Sequence, residues 1–313
     1  AAGGQHDVEL REGVHLDLHR QALSGSQCSR GGVAHATGSR DVVVLDQQLV
    51  DQRHAVVAAA TCEHGGLLDQ AEAGKRLARV VQAAADMVAP GVSIAAIDAE
   101  AEKMIRAGGD EPAFLGYQPD GVARPFPATL CISINEEIVH GIPTENDRVI
   151  QDGDIVSIDC GLVHQGLITD HAVSVIAGNT DEETKRLLSA TKEGLMAGIA
   201  AVRGGGHVGD IGAAIEAVAD KYHYGNIFEF GGHGVGHKVH ELPFIMNVGE
   251  KGEGEVLEPG MVLAIEPMFT EGSDRAKILA DDYTVVTRDG SRSAHFEHTI
   301  VVTEDGAQII TAL

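Results

Sequence analysis

Two pairs of matching segments constrain this chain more than any other feature, because every one of them carries an acidic residue at its end or start. Ile150-Gln-Asp-Gly-Asp-Ile-Val-Ser-Ile-Asp159 aligns with Leu257-Glu-Pro-Gly-Met-Val-Leu-Ala-Ile-Glu266, each a turn, then an apolar strand, then a carboxylate. Asp170-His171-Ala172-Val173-Ser174-Val175 likewise aligns with Glu297-His298-Thr299-Ile300-Val301-Val302. A helical stretch precedes each pair, so the order of helices followed by strands occurs twice. Two such halves are expected to form an α+β fold with a pseudo-twofold repeat of helices and antiparallel strands, the four acids converging between them.

The helices are read from apolar spacing. Leu67, Leu68, Ala71, Leu77, Val80, Val81 and Ala84 recur at helical intervals until Pro90-Gly91 stops the pattern. Ser93 is expected to cap a second helix ending near Gly108. Segments rich in Ile and Val predict strands over 129–140 and 154–176. In the second half, Thr180 with Glu183 reads as a capping box opening a helix that ends at Gly204-Gly205-Gly206, and another helix follows over 208–221. Residues 1–66 show little sustained period apart from a strand-like Val42-Val43-Val44-Leu45, and are read as an amino-terminal extension to which no order is assigned. Residues 67–313 are the expected catalytic domain. The first Met is Met87, so the sequence leaves the natural start of the polypeptide open.

Composition narrows the function classes. Aromatic residues make up only 4% of the 313 positions, with no Trp, so Ala, Val, Ile and Leu must build the core. A formal net charge of −24 opposes binding to nucleic acid or to anionic membranes, since both need a basic face. Cys28, Cys62, Cys131 and Cys160 form no C-x-x-C pair, which argues against a zinc knuckle or a disulfide framework and fits a reducing cytoplasm. No apolar stretch reaches the ~18 residues that span a bilayer.

The repeated acids carry the chemistry. A two-residue loop at His164-Gln165 sets position 159 opposite position 170 across an antiparallel hairpin, with both carboxylates on one face. Like charges placed so destabilise a sheet, and they call for a cation, a shared proton or full exposure to water. Taken alone, two exposed acids on a surface hairpin satisfy the pattern equally. Glu266 and Glu297 adjoin apolar strand residues and are expected to be buried, which metal coordination would offset; a salt bridge to a distant Arg is the alternative. Gly231-Gly232-His233-Gly234-Val235-Gly236 allows backbone close to a ligand, but it lacks the Gly-Lys-Ser/Thr ending of a phosphate loop. Its His is either structural or a ligand. His240 lies seven residues on, beyond the i+4 spacing of two zinc ligands on one helix. Four acids and one His make an oxygen-rich set, enough for two divalent cations with bridging carboxylates.

Several stretches in this order resemble the type I methionine aminopeptidases, and with them the wider pita-bread metallopeptidases. They are Cys131-Ile-Ser-Ile-Asn-Glu-Glu-Ile-Val-His140-Gly-Ile-Pro143, Ser157-Ile-Asp159 with Thr169-Asp170, Gly232-His233-Gly-Val-Gly236, Val239-His240-Glu241-Leu-Pro243, Ile265-Glu266-Pro-Met268, and Phe296-Glu297-His298-Thr-Ile-Val-Val-Thr303. The resemblance covers residues 67–313 and implies a pita-bread fold around a dinuclear metal site. It implies that Asp159, Asp170, His233, Glu266 and Glu297 hold two divalent metal ions, Co, Mn, Fe or Zn, with Asp170 and Glu297 bridging. His140 and His240 would contact substrate, and Glu266 would also take a proton from the attacking water. Phe114, Tyr117, Phe126, Cys131 and Tyr283 would line a methionine pocket, although each also suits ordinary core.

The implied activity is removal of the N-terminal methionine from nascent proteins and peptides with a small second residue. The implied setting is a cytoplasmic monomer, associated with ribosomes, with no nucleic-acid or membrane partner. Aminopeptidase P and prolidase share the ligand pattern, but they carry a longer amino-terminal domain and a basic residue near the last Glu, where this chain has Phe296-Glu297-His298. The interval from His240 to Glu266 lacks the helical insertion of type II methionine aminopeptidases. A binding protein of the same fold without catalysis would be expected to lack ligands, and all five stand here. Three features depart from the bacterial type I pattern: a longer loop over 118–125, Val239 in place of an aromatic, and Tyr283 where Trp is common.

Overall fold

A computed structural model of the chain describes residues 64–145 and 148–313. The first half opens with helices α1 (His64–Asp86) and α2 (Ile94–Ala107), followed by strands β1 (Glu111–Pro112), β2 (Leu130–Ile134), β3 (Glu137–Val139), β4 (Ile155–His164) and β5 (Leu167–Ile176). The second half repeats the scheme with α3 (Glu182–Ala201) and α4 (Val208–Tyr222), then β6 (Gly225–Asn226), β7 (Gly231–Gly234), β8 (Glu241–Met246), β9 (Val262–Ile265) and β10 (Met268–Thr270). It closes with β11 (Ala276–Ile278), β12 (Val285–Thr287), β13 (Ser293–His295), β14 (His298–Val302) and β15 (Ala307–Ile309). Mixed helices and antiparallel sheets in two similar halves make this the expected pita-bread fold. Among the described residues, no helix is long and apolar enough to cross a membrane.

Each half packs its helix pair on its own sheet. In α2, Ile94, Ile97, Ala101 and Ile105 fall on one face and are buried with Leu77, Val80 and Val81 of α1 against β2 and β4. In the second half, Leu187, Leu195 and Ile199 of α3 and Ile211 and Ile215 of α4 meet Leu263, Ile265 and Ile300. Burying one such side chain stabilises by about 1.5–3 kcal/mol, while helix propensities of ordinary residues differ by at most about 0.7 kcal/mol. Packing therefore sets where these helices lie. Buried Asp98 ties α2 to the sheet, its carboxylate accepting the Thr129 and Leu130 N–H groups that open β2, at 2.9 and 2.8 Å.

The helix ends differ in places from the sequence reading. α1 starts at His64, so its first turn includes positions assigned to the extension; the rest of that extension, with its Val42–Leu45 stretch, lies outside the described residues. Leu68, expected on the apolar face, is 72% exposed, while Ala73 and Gln70 are buried; Gln70 donates to the Ile168 carbonyl and so fixes the face. α3 is capped by Asp181, not Thr180: the Asp181 side chain accepts the Thr184 N–H at 2.8 Å. One helix later, the Asp210 side chain accepts the His207 N–H at 2.9 Å, which closes the start of α4.

The hairpin of the first half turns at Gln165 and Gly166, both with positive φ, and not at His164-Gln165. Asp159 therefore faces Ala172 and Asp170 faces Gly161, a register two residues away from the expected one. Because side chains alternate with a period of two, a shift of two keeps both carboxylates on one face. The second half pairs β9 with β14, His298 opposite Ile265, so Glu266 and Glu297 stand at the end of that ladder.

The two halves are joined along β5 and β14 by hydrogen bonds between equivalent positions. Glu297 N–H donates to the Ala172 carbonyl at 2.9 Å, and Asp170 N–H donates to the Thr299 hydroxyl at 2.9 Å. Thr299 is the repeat counterpart of Ala172; its hydroxyl also donates to the Asp170 carbonyl at 2.6 Å. His171 and His298, likewise counterparts, stack with ring centroids 4.7 Å apart and planes 7° from parallel. Thr299 is fully buried, so Thr299→Val should leave Asp170 N–H without an acceptor and destabilise the metal-free protein by about 1–3 kcal/mol in urea unfolding, whereas Thr299→Ser should cost much less. Loss in Thr299→Ser with none in Thr299→Val would show that the methyl group, and not the hydroxyl, holds the seam.

Candidate metal centre

The seam brings the repeated acids together. Asp159 projects from β4, Asp170 from β5, Glu266 follows β9 and Glu297 precedes β14. His233 comes from β7, which is where the glycine-rich run lies. That run is a strand wedged between β8 and β9, and its glycines serve neighbouring backbone: a Cβ on Gly232 would stand 2.2 Å from the Ala264 carbonyl oxygen, and one on Gly234 would stand 2.3 Å from that of Leu242. The close approach allowed by glycine thus carries His233 into the sheet.

Asp170, His233 and Glu297 each offer an atom within 4.8 Å of the others, and all three side chains are buried. His233 Nδ1 faces the Gly234 carbonyl at 2.9 Å, which makes Nδ1 the protonated nitrogen and leaves the Nε2 lone pair toward the acids. His233 Nε2 lies 3.5 Å from Glu266 Oε1. Among the described residues no Lys or Arg pairs with any of the four carboxylates, so the distant salt bridge does not form. Asp159 Oδ1 and Glu297 Oε1 are buried with no hydrogen-bond partner.

This crowding shapes the electrostatics. Burial pushes Asp159 up to about 7, with Glu266 adding to the shift and His295 opposing it. Burial also raises Glu266 to about 7, opposed by His233. Asp170 and Glu297 are raised well above the usual carboxylate range, first by burial and then by their acidic neighbours. Two carboxylates under 5 Å apart repel by about 3–4 kcal/mol even at an effective dielectric constant near 20. A set of buried acids with unpartnered oxygens and one oriented imidazole lone pair is what a divalent cation reverses, and oxygen-rich donors of this kind fit such ions.

All twelve residues singled out in the sequence line one cavity: the five above, His140, His240, Phe114, Tyr117, Phe126, Cys131 and Tyr283. His140 takes a left-handed backbone with φ 61°, a strained conformation for a non-glycine residue, and its ring meets Phe230 edge-on. Burial lowers it to about 4, helped by His295 and His233, so it is neutral. His240 is also neutral, held well below its ordinary value by burial. Its Nδ1 lies 2.8 Å from the Tyr117 hydroxyl. With that hydroxyl as donor, His240 Nε2 carries the proton. Cys131 and Cys160 are buried, their thiols pushed well up by burial.

The longer loop closes on itself, Phe126 N–H donating to the Tyr117 carbonyl at 2.7 Å. Its Arg124 carbonyl accepts from the Tyr283 hydroxyl, and Tyr283 meets Phe126 edge-on with centroids 5.1 Å apart. Val239, noted above as a departure, completes the apolar wall with Val139, Phe230, Phe244 and Met268, whose place there the sequence reading did not assign. Nor did it single out His295, which stands beside Glu266 with Nε2 3.5 Å from Oε2. Its spacing, two residues before Glu297 in a strand-forming stretch, gave no sign of the Glu266 contact, which comes from a separate strand.

Comparison with known proteins agrees with this geometry. Residues 70–304 match the model of metallopeptidase family M24. The chain is 45% identical to a methionine aminopeptidase of Aquifex aeolicus over 246 residues, 77% of this chain and 94% of the relative. It is 43% identical to methionine aminopeptidase 1 of Mycobacterium tuberculosis over 253 residues, 79% of this chain and 92% of the relative. The crystal structure of a methionine aminopeptidase from Thermotoga maritima superposes with a TM-score of 0.76 at 39% identity, covering 80% of this chain and 98% of that one. A prolidase from Pyrococcus furiosus shares the fold, with a TM-score of 0.62 at 21% identity. The chain belongs to metallopeptidase family M24 and, within it, to the methionine aminopeptidases.

Proposed function

We propose that the chain removes the N-terminal methionine from polypeptides whose second residue is small, using two divalent cations held by Asp159, Asp170, His233, Glu266 and Glu297. The observation that carries this reading is the join of a buried acid cluster, without basic partners, to an apolar cavity. Asp170 and Glu297, the two acids that the seam holds together, would be shared between the ions. Such ions, when bound, polarise water and a carbonyl oxygen; Co, Mn, Fe and Zn all suit the donor set. The site acts in the cytoplasm on emerging chains at the ribosome, as a monomer, and residues 67–313 suffice for it.

The other roles follow from placement. Phe114, Tyr117, Phe126, Cys131 and Tyr283 hold the methionine side chain and keep water out. His140 orients the substrate from its fixed backbone. Glu266 opens partly onto the cavity and takes the proton of the attacking water, a role that its raised proton affinity suits. His240 Nε2–H donates to the scissile carbonyl oxygen as negative charge grows there.

Substrate choice tests the reading first. Methionine should be released from Met-Ala and Met-Gly peptides, with little cleavage of Xaa-Pro peptides beside them; the reverse preference would contradict it. Chelation should abolish the activity, and Mn, Co or Fe should restore it.

Two histidine variants separate holding metal from stabilising the transition state. His240→Ala should lower kcat by about a hundredfold or more, equivalent to roughly 3 kcal/mol, with little change in KM and full metal content. His233→Ala should lose metal along with activity. Equal loss of metal in both variants would contradict the role given to His240.

Stability should depend on pH through the same acids. Below about pH 6.5 the buried histidines and the buried acids act in opposite directions, because the unfolded chain protonates His while the folded site protonates its carboxylates. Above that, the histidines are neutral in both states. Asp159 and Glu266 bind protons up to about 7 when folded, and about 4 is usual for the unfolded chain, so their contribution is lost as pH rises through 7. The melting temperature of the metal-free protein should therefore fall between pH 6.5 and 8, and the gain from added Mn should grow over the same interval. A gain from Mn that shrinks as pH rises would contradict protons and cations competing for these carboxylates.

A further inference from the structure

His295 is almost completely buried, 1% exposed, and neither ring nitrogen has a hydrogen-bond partner. Its backbone is fixed from the other half of the molecule: its N–H donates to the Ser174 hydroxyl oxygen and its carbonyl accepts from that hydroxyl, both at 2.8 Å. Pairing of β13 with β10 holds it opposite Met268, two residues beyond Glu266. The ring is thereby set beside the Glu266 carboxylate, with Nε2 3.5 Å from Oε2. The other oxygen, Oε1, lies 3.5 Å from His233 Nε2. Glu266 thus has one imidazole at each oxygen.

The two imidazoles are not equivalent. His233 has its Nδ1 fixed by a backbone carbonyl, the arrangement of a metal-ligating histidine. His295 Nδ1 has no such partner, so the ring lacks the support that orients a ligand. What it does have in reach is a carboxylate oxygen, and a shift of about half an ångström would bring Nε2–H and Oε2 to ordinary hydrogen-bond distance.

We propose that His295 is a positioning residue for Glu266: its Nε2–H donates to Oε2, which leaves Oε1, on the His233 side, as the oxygen offered to the cation and to the proton of the attacking water. This rests on the metal-centre reading above and adds a sixth residue to it, one that acts through Glu266 and does not touch the ion. A carboxylate held at one oxygen cannot swing between one-oxygen and two-oxygen coordination, so the site is organised before the cation arrives. Loss of an outer partner of this kind typically weakens metal affinity by about 10–100-fold.

The test compares His295→Gln, whose amide N–H can still donate, with His295→Met, of similar size and no donor. In the full chain, Mn affinity and stoichiometry are read by titration calorimetry after chelator is removed, and kcat and KM are read on a Met-Ala peptide. His295→Met should bind as many ions as the unaltered protein but about 10–100-fold more weakly, with kcat lowered and KM little changed. His295→Gln should recover most of both. Should His295→Met fail to fold, His295→Asn, whose shorter amide falls short of Glu266, takes its place in the comparison. Wild-type affinity in the donor-free variant overturns the proposal, as does loss of one ion in His295→Gln, which would make His295 a direct ligand. Absence of any Mn binding by the unaltered protein would instead sink the metal centre itself.

Discussion

The cost of burying four acids side by side is the constraint on which the rest of the structure depends. Asp159, Asp170, Glu266 and Glu297 meet at the seam of two halves, with two of their oxygens lacking any hydrogen-bond partner. No hydrogen bond or surface ion pair is strong enough to compensate, since a typical exposed ion pair contributes about 0–1 kcal/mol. The fold answers with force applied from outside the site. Helix pairs α1/α2 and α3/α4 bury aliphatic faces against the two sheets, and the bonds between Glu297 and Ala172 and between Asp170 and Thr299 clamp the acids in place. The largely aliphatic core thus holds together a site whose own burial is costly.

The same arrangement connects the metal site to substrate selection. β7 brings His233 to the acids, and the segment after it brings Val239 and His240 to the cavity wall. Tyr117 leads into the longer loop and its hydroxyl lies 2.8 Å from His240 Nδ1, so the segment that shapes the apolar pocket also touches the imidazole on its wall. Tyr283 closes the opposite wall through the Arg124 carbonyl and Phe126. Tyr283 and the 118–125 loop, both departures noted in the sequence, are therefore packing partners.

Much of this was legible in the sequence because the repeat is written in local pattern. The turns before the two acids match down to Gly153 and Gly260, both with positive φ, and the apolar runs that follow are strands in both halves. What was not legible depended on contacts distant along the chain. The hairpin register turned on whether His164 or Gly166 occupies the turn, and only the period of two kept the acids on one face regardless. The purpose of the glycine run was read as room for a ligand; it is room for the Ala264 and Leu242 carbonyls, which no local pattern announces. Leu68 looked like core by spacing and is exposed, whereas Gln70 looked polar and is buried by a single bond to Ile168. His295 escaped notice because one histidine in an apolar strand says nothing until Glu266, from a separate strand, is set beside it.

The central claim is that the acid cluster exists to hold two cations. It is tested most directly by crystals of the protein grown with Mn and measured by anomalous scattering at the Mn absorption edge. Two strong peaks should appear between the halves, both in contact with Asp170 and Glu297, one also with His233 and Glu266 and the other with Asp159. A single peak, or ions bound elsewhere with the five side chains unoccupied, would contradict the account.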